Sequence, residues 1–316
     1  MSIAQNIVQL KTSLPQGVTL VAVSKFHPVE ALWEAYNAGQ RVFGESRAQE
    51  LSAKQKVLPE DIEWHFIGPL QSNKVKDIAP FIHLIHSIDS LKLLAEVNKQ
   101  AKKHNRTIRV LLEIHVAQEE SKHGLSPEEC KELLRDESLA EFQHIRICGL
   151  MGMATNTDDT GLIREEFRKI HDLFIELKET LCKDNVDFKE ISMGMSHDYP
   201  IAIQEGSTLI RVGTSIFGEL TNKAERNRDF EKAGAGAIVL KSLFEEQIEM
   251  QSEALMQDSD YPEAADYIRG YVKANQVNDY LELIKKSKEL CTIPIIASIN
   301  CYKADAWIDF ARQIEL

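Results

Sequence analysis

A chain of 316 residues with 43% apolar residues is long enough for one large barrel or for two domains. A net charge of −12, with 49 acidic against 37 basic residues and no Lys/Arg block, excludes a nucleic-acid footprint. Five cysteines, at 130, 148, 182, 291 and 301, form no C-x-x-C pair and are odd in number, so reduced thiols without disulfides or a zinc site are expected.

The opening MSIAQNIVQLKTSL is amphipathic without a charged leader and apolar core, and no run approaches the ~18 apolar residues of a membrane span. A cytoplasmic protein with no membrane partner is expected. The pattern predicts a helix over residues 2–13, stopped by the turn at 15–17. TLVAVSK follows as a first strand ending at Lys25, and its Val-rich, non-alternating run suits a parallel strand covered on both faces. Pro28 with Val29, Leu32, Trp33 and Tyr36 opens a helix closed at Gly39. Lys25 therefore sits at a strand-to-helix junction, the end of a parallel sheet where ligands bind. Two readings stand: a solvated lysine that caps the strand, or an amine presented to a carbonyl compound.

RVFGE gives a second strand, with Ser46 as the cap of a helix to about residue 57. IEWHFIG is the third, and LQSNK opens the helix after it. HLIHSID is the fourth, with Asp89 or Ser90 capping a helix to Lys103, and residues 108–116 are the fifth. AQEESKHGLSPEE reads as a polar loop in which Ser126-Pro127 starts a helix. IRICGLMGM, EISMGM and LIRVGTSIFG complete eight strands. Between them lie a helix over 161–183, with Ile163, Phe167, Ile170, Phe174 and Leu177 near helical spacing, and a short helix over 196–205. Eight strands alternating with helices predict an α/β fold, a (β/α)8 TIM barrel.

In SMGMSHD, Gly194 and Ser196 precede a helix; in RVGTSIFG, Gly213 and Thr214 follow a strand. Both loops can aim backbone N–H groups and a hydroxyl at an anion, and phosphate sites in barrels commonly lie after strands seven and eight. Ordinary β-to-α turns use Gly as well. A carbonyl-reactive lysine on strand one, beside a phosphate cup on the last strands, suits pyridoxal 5′-phosphate (PLP), because first and last strands are neighbours in a closed barrel. His83 and His86 fall on opposite faces of a strand, so a joint metal site is not expected. Lys122-His123-Gly124 is a loop that either approaches a ligand or is solvated. Met151, Met153, Met193 and Met195 are read as barrel filling or soft packing around a flat ring, not as metal ligands.

VAVSKFHP, VFGESRAQE, WHFIGPLQSNK, SMGMSHD and IRVGTSIFGE, in this order, resemble the pyridoxal phosphate homeostasis protein family, whose fold is similar to the barrel of alanine racemase. The resemblance covers residues 1 to about 219. It implies PLP as cofactor, with Lys25 as the Schiff-base lysine, Ser196, Gly213 and Thr214 on the phosphate, and Arg211 facing the pyridine nitrogen. Ser46 departs from the pattern, since many members carry Asn there. Desolvation and the charge of Arg211 are expected to disfavour the ammonium form of Lys25. A protonated guanidinium would keep the ring nitrogen unprotonated and the ring a poor electron sink. The resemblance thus implies a carrier or regulator of intracellular PLP, with PLP-dependent apoenzymes as partners and no catalytic residue. The alternative is an alanine-racemase-like amino-acid racemase, although such racemases add a β-rich domain that contributes a tyrosine base.

Residues 220–316 change character. The stretch reads as helix, strand and helix, with a strand at 237–240 and one more in IPIIASIN, separated by a polar helical stretch. It resembles part of a dihydroorotate-dehydrogenase-like flavin barrel, with Lys241-Ser242 matching a region near the flavin. The match stops before most FMN and substrate residues of that family. A flavin-dependent dehydrogenase is the second alternative, and a fusion of a complete barrel with a partial one is the expected domain organisation.

Overall fold

The computed structural model describes residues 2–118, 124–218, 224–232, 234–240, 243–244 and 265–300. The chain divides into two units, Met1–Gly218 and Glu219–Leu316. In the first unit the strands are β1 (Thr19–Val23), β2 (Val42–Glu45), β3 (Glu63–Phe66), β4 (Leu84–Ile88), β5 (Ile108–Ile114), β6 (Ile145–Gly152), β7 (Glu190–Ser192) and β8 (Leu209–Val212). They pair in sequence order, all parallel, and β8 returns to β1 through Thr19↔Leu209 to Ala22↔Val212. This is the (β/α)8 TIM barrel that the alternation predicts.

Each strand is buried on two sides, which is why its sequence does not alternate cleanly. Val21, Leu84, Leu111, Cys148, Met151 and Leu209 fill the interior. Ala22, Phe43, Phe66, Ile85, Leu112 and Ile210 face the helical layer. That layer is α1 (Ile3–Ser13), α2 (Val29–Asn37), α3 (Ala48–Gln55), α4 (Val75–Ile78), α5 (Leu91–Lys103), α6 (Pro127–Arg135), α7 (Thr160–Glu179), α8 (Tyr199–Gln204) and α9 (Thr214–Phe217). Helix starts follow local chemistry: Ser90 Oγ accepts from Leu93 N–H, and Ser126 forms a reciprocal capping box with Glu129 behind Pro127. On α7 the five apolar positions read from the sequence are all buried.

Three local expectations are corrected. The first strand ends at Val23, two residues before Lys25, because Ser24 to Phe26 turn away to meet α2. Ser46 caps nothing: α3 begins at Ala48 with Arg47 before it, and Ser46 is pressed against Gly68, where a Cβ would lie 2.7 Å from the Ser46 carbonyl oxygen. The helix after β6 stops at Glu179, earlier than expected, where Thr180 leaves helical dihedrals. Gly149 marks a register shift between β5 and β6; at φ 152° its missing Cβ would lie 1.8 Å from the Glu190 carbonyl oxygen.

Among the described residues of the second unit, four two-residue strands stand where two are expected: Ile238–Val239 pairs with Ile295–Ile296, and Leu243–Phe244 with Ile299–Asn300. Ala297 and Ser298 split the apolar run IPIIASIN into two pieces. Helices Ala224–Lys232 and Ala265–Leu290 accompany them, around a small core of Ile238, Leu240, Val277, Tyr280 and Cys291. Lys241 and Ser242 lie outside the described residues. Among the described residues no helix is long and apolar enough to cross a membrane.

Phe167 is fully buried in the helical layer, so Phe167→Ala should lower the unfolding free energy by about 3–5 kcal/mol in urea denaturation. Val186→Ala, at a position 90% exposed, should stay within about 0.5 kcal/mol of wild type.

Candidate functional site

Closure of the barrel puts the ends of β1, β7 and β8 side by side, and the loops that leave them meet. Gly213 packs so closely on the end of β1 that a Cβ would lie 3.2 Å from the Val23 carbonyl oxygen. Its N–H donates to Ser196 Oγ at 3.1 Å, which leaves the serine's own proton free to donate outward. Thr214 and Ser215 follow at the first turn of α9, where amides have no partner within the helix. Gly194, at φ 95°, turns the β7 loop; a Cβ there would come within 2.6 Å of Ala202 Cβ. On the β1 side, the His27 ring stacks on Phe217 of α9 at 4.8 Å. Burial, followed by the charge of Lys54, pushes the His27 imidazole down to about 4, so it is neutral.

Lys25 is exposed on this rim. Lys25 stands two residues past the end of β1. Phe26 next to it holds φ 68°, a left-handed conformation that costs a non-glycine residue roughly 1–2 kcal/mol.

Arg211, on β8 two residues before Gly213, is buried inside the barrel. Its Nη1 donates to Ser192 Oγ at 2.6 Å and its Nη2 to the Gly152 carbonyl at 3.0 Å. Burial lowers it to about 10, against the opposing pull of Asp198 and Glu113, so it remains a cation at neutral pH. Beneath it runs a file of polar side chains: His86 Nδ1 lies 2.8 Å from Ser192 Oγ, and His86 Nε2 lies 3.0 Å from His65 Nδ1. Burial holds both imidazoles well below their usual range. A neutral imidazole donates through one nitrogen and accepts through the other, so the file is directional.

His83 stacks on His65 at the opposite end of the barrel, where Glu63, His65 and His83 bring one ligand atom each within 4.8 Å of one another. Arg109 Nη1 lies 3.1 Å from His83 Nε2. A guanidinium only donates, so the lone pair a metal would take is already engaged. Of the four methionines, Met151 fills the barrel interior, Met193 is buried against the helices and Met153 is 43% exposed. Met151 thus meets the expectation of barrel filling, whereas Met193 packs among the helices instead. Lys122 and His123 lie outside the described residues.

Sequence reasoning passed over Glu113, Ser192, His65 and the buried pair Glu45 and Lys54. Glu113 carried a signal: it is the one carboxylate in the apolar run of β5.

Residues 1–221 match the family described as alanine racemase, N-terminal domain. A pyridoxal phosphate homeostasis protein of Aquifex aeolicus is 43% identical over 201 residues, covering 63% of this chain and 86% of that protein. The chain belongs to the pyridoxal phosphate homeostasis protein family. A member from Schizosaccharomyces pombe is 40% identical, covering 64% of this chain and 84% of its own length. PipY of Synechococcus elongatus PCC7942, solved with PLP bound, is 37% identical with a TM-score of 0.64, covering 69% of this chain and 100% of PipY. Alanine racemase from Streptomyces lavendulae, at 18% identity and a TM-score of 0.58, shares the fold over 71% of this chain and 58% of its own.

Glu113 faces Asp89 and Arg211 at the barrel mouth, and burial, with a smaller push from Asp89, raises its carboxyl to about 7. An acid whose folded pKa is raised favours folding fully below its unfolded value of 4.5 and loses that contribution as pH climbs toward 7. Glu113→Gln should therefore match wild type near pH 4. It should gain about 1–3 kcal/mol on wild type by pH 7.5, measured by urea denaturation of the cofactor-free protein at each pH.

Proposed function

We propose that the barrel binds PLP at the rim where the β1, β7 and β8 loops meet, and acts in intracellular PLP homeostasis as a carrier or regulator. The observation that carries this reading is the joining of Gly213 to both Ser196 and the end of β1, which sets an anion cradle beside an exposed lysine. Its donor set suits a phosphate: backbone amides, a serine hydroxyl and a position where a Cβ would obstruct approach. Bound there, the cofactor supplies an aldehyde that condenses with a primary amine and a pyridine ring able to take up electrons.

Lys25 is the amine in this reading, Ser196, Gly213 and Thr214 hold the phosphate, and Arg211 faces the ring nitrogen. Because Arg211 stays a cation, it opposes protonation of a nitrogen held against it and weakens the ring's electron demand. Transamination and decarboxylation are thereby disfavoured, and racemisation is left as the alternative reading. The buried free thiols Cys130, Cys148 and Cys182 suit a reducing cytoplasm. Residues 1–219 form the cofactor-binding domain, and residues 220–316, a partial flavin-barrel fragment, take no part. PLP-dependent apoenzymes are the partners that carriage requires.

The test is borohydride reduction of the PLP-loaded protein followed by peptide mapping. The pyridoxyl group should sit on Lys25 and vanish in Lys25→Ala; label chiefly on another lysine overturns the assignment. Thr214→Ala should weaken retention by roughly 0.5–1.5 kcal/mol, the net value of one hydrogen bond, and Gly213→Val by more. Unchanged retention in both variants overturns the phosphate site. A chain ending at residue 222 should bind PLP as the full chain does, by equilibrium dialysis.

A further inference from the structure

Resting on the reading that Lys25 is the amine presented to the cofactor, we propose that Glu50 and Lys54 are positioning residues that hold the Lys25 turn from behind the barrel wall. Both lie on α3, one turn apart, with the acid N-terminal to the base, the favoured order for such a pair. Lys54 is buried, and its Nζ donates to the Ser24 carbonyl at 2.8 Å, to Glu45 Oε1 at 2.7 Å and to Glu50 Oε1 at 2.7 Å. Three ammonium protons meet three acceptors. Glu50 Oε1 also accepts the Phe26 N–H at 2.7 Å.

The backbone is thus tied on both sides of Lys25, at the Ser24 carbonyl and at the Phe26 amide, while the lysine side chain itself stays exposed. Two further contacts reinforce the hold: Ser24 Oγ donates to Glu45 Oε1 at 2.7 Å, and the Arg47 guanidinium lies 4.9 Å above the Phe26 ring. The left-handed conformation of Phe26 fits this account, since a strained dihedral persists only where surrounding contacts over-determine it. Stability alone explains the arrangement poorly. Burial raises Glu45 to about 7 despite Lys54 beside it, and a buried ion pair often contributes less than the apolar groups that could replace it. Both residues act through the main chain of the turn, fixing where the Lys25 side chain starts.

The experiment uses the full chain and two readouts. One is the rate at which PLP followed by borohydride labels Lys25, by peptide mapping of timed samples. The other is affinity for pyridoxine 5′-phosphate, which has the phosphate but no aldehyde, by calorimetry. Glu50→Ala should slow labelling roughly ten- to hundred-fold, the scale of a misplaced reacting group, and leave pyridoxine 5′-phosphate affinity within about two-fold. Glu50→Gln should recover most of the rate, because its amide oxygen still accepts the Phe26 N–H. Lys54→Met should be slow as well; if it does not fold, the Glu50 pair of variants decides. Labelling at the wild-type rate in Glu50→Ala, or an equal loss of pyridoxine 5′-phosphate affinity, overturns the proposal. A wild-type chain that binds pyridoxine 5′-phosphate but is not labelled on Lys25 overturns the lysine assignment and this proposal with it, whereas one that binds neither compound overturns the functional reading as a whole.

Discussion

The pairing of β8 with β1 is the contact on which the rest of the barrel depends. Four registered residue pairs join the last strand to the first, across nearly the whole length of the unit. Such long-range closure is entropically costly and is repaid only when all the intervening elements are in place. It also makes the site: without it, the turn after β1 and the loops after β7 and β8 would be separated by almost two hundred residues of chain. The same seam carries the contact between Gly213 and Val23 and the stacking of His27 on Phe217.

Inside that closed wall the two ends of the barrel are filled differently. Apolar side chains occupy much of the interior, but a line of polar groups from His65 through His86 and Ser192 to Arg211 crosses it. Buried polar groups are tolerated when they find partners; the links of the line are all within hydrogen-bond distance, and His65 Nε2 at its end is buried without a partner. The arrangement spends interior volume that leucine or valine would use for stability. What it supplies is a fixed guanidinium directly below the loops of the rim.

How much of this was legible varied with the range of the interaction. Strand positions and the closed barrel were readable because burial on both faces gives continuous Val- and Ile-rich runs, as in β1 and β5. Local helix starts at Ser90 and Ser126 were readable because a cap is a matter of a few adjacent residues. The loops bearing Lys25, Ser196, Gly213 and Thr214 stood out as polar and glycine-bearing breaks after those runs. The surroundings of Lys25 stayed open between a solvated and a ligand-facing amine, because they hang on where β1 stops, and only the turn at Ser24 decides that. Ser46 misled for a similar reason: it is a good cap by type, but packing against Gly68 takes it out of position. Glu45 and Lys54 were invisible as a pair, since nothing in the spacing of a strand end and a helix shows that both point into the same gap.

The closed sheet leaves no strand edge unpaired, so the first unit offers no template on which another copy could add a strand. The described strands of the second unit are different. Among the described residues each has a single partner. Val239 and Ile296, on the paired strands Ile238–Val239 and Ile295–Ile296, expose 62% and 48% of their surface. Closure thus guards the backbone of the barrel strands against strand addition with no need of charged or bulged edges.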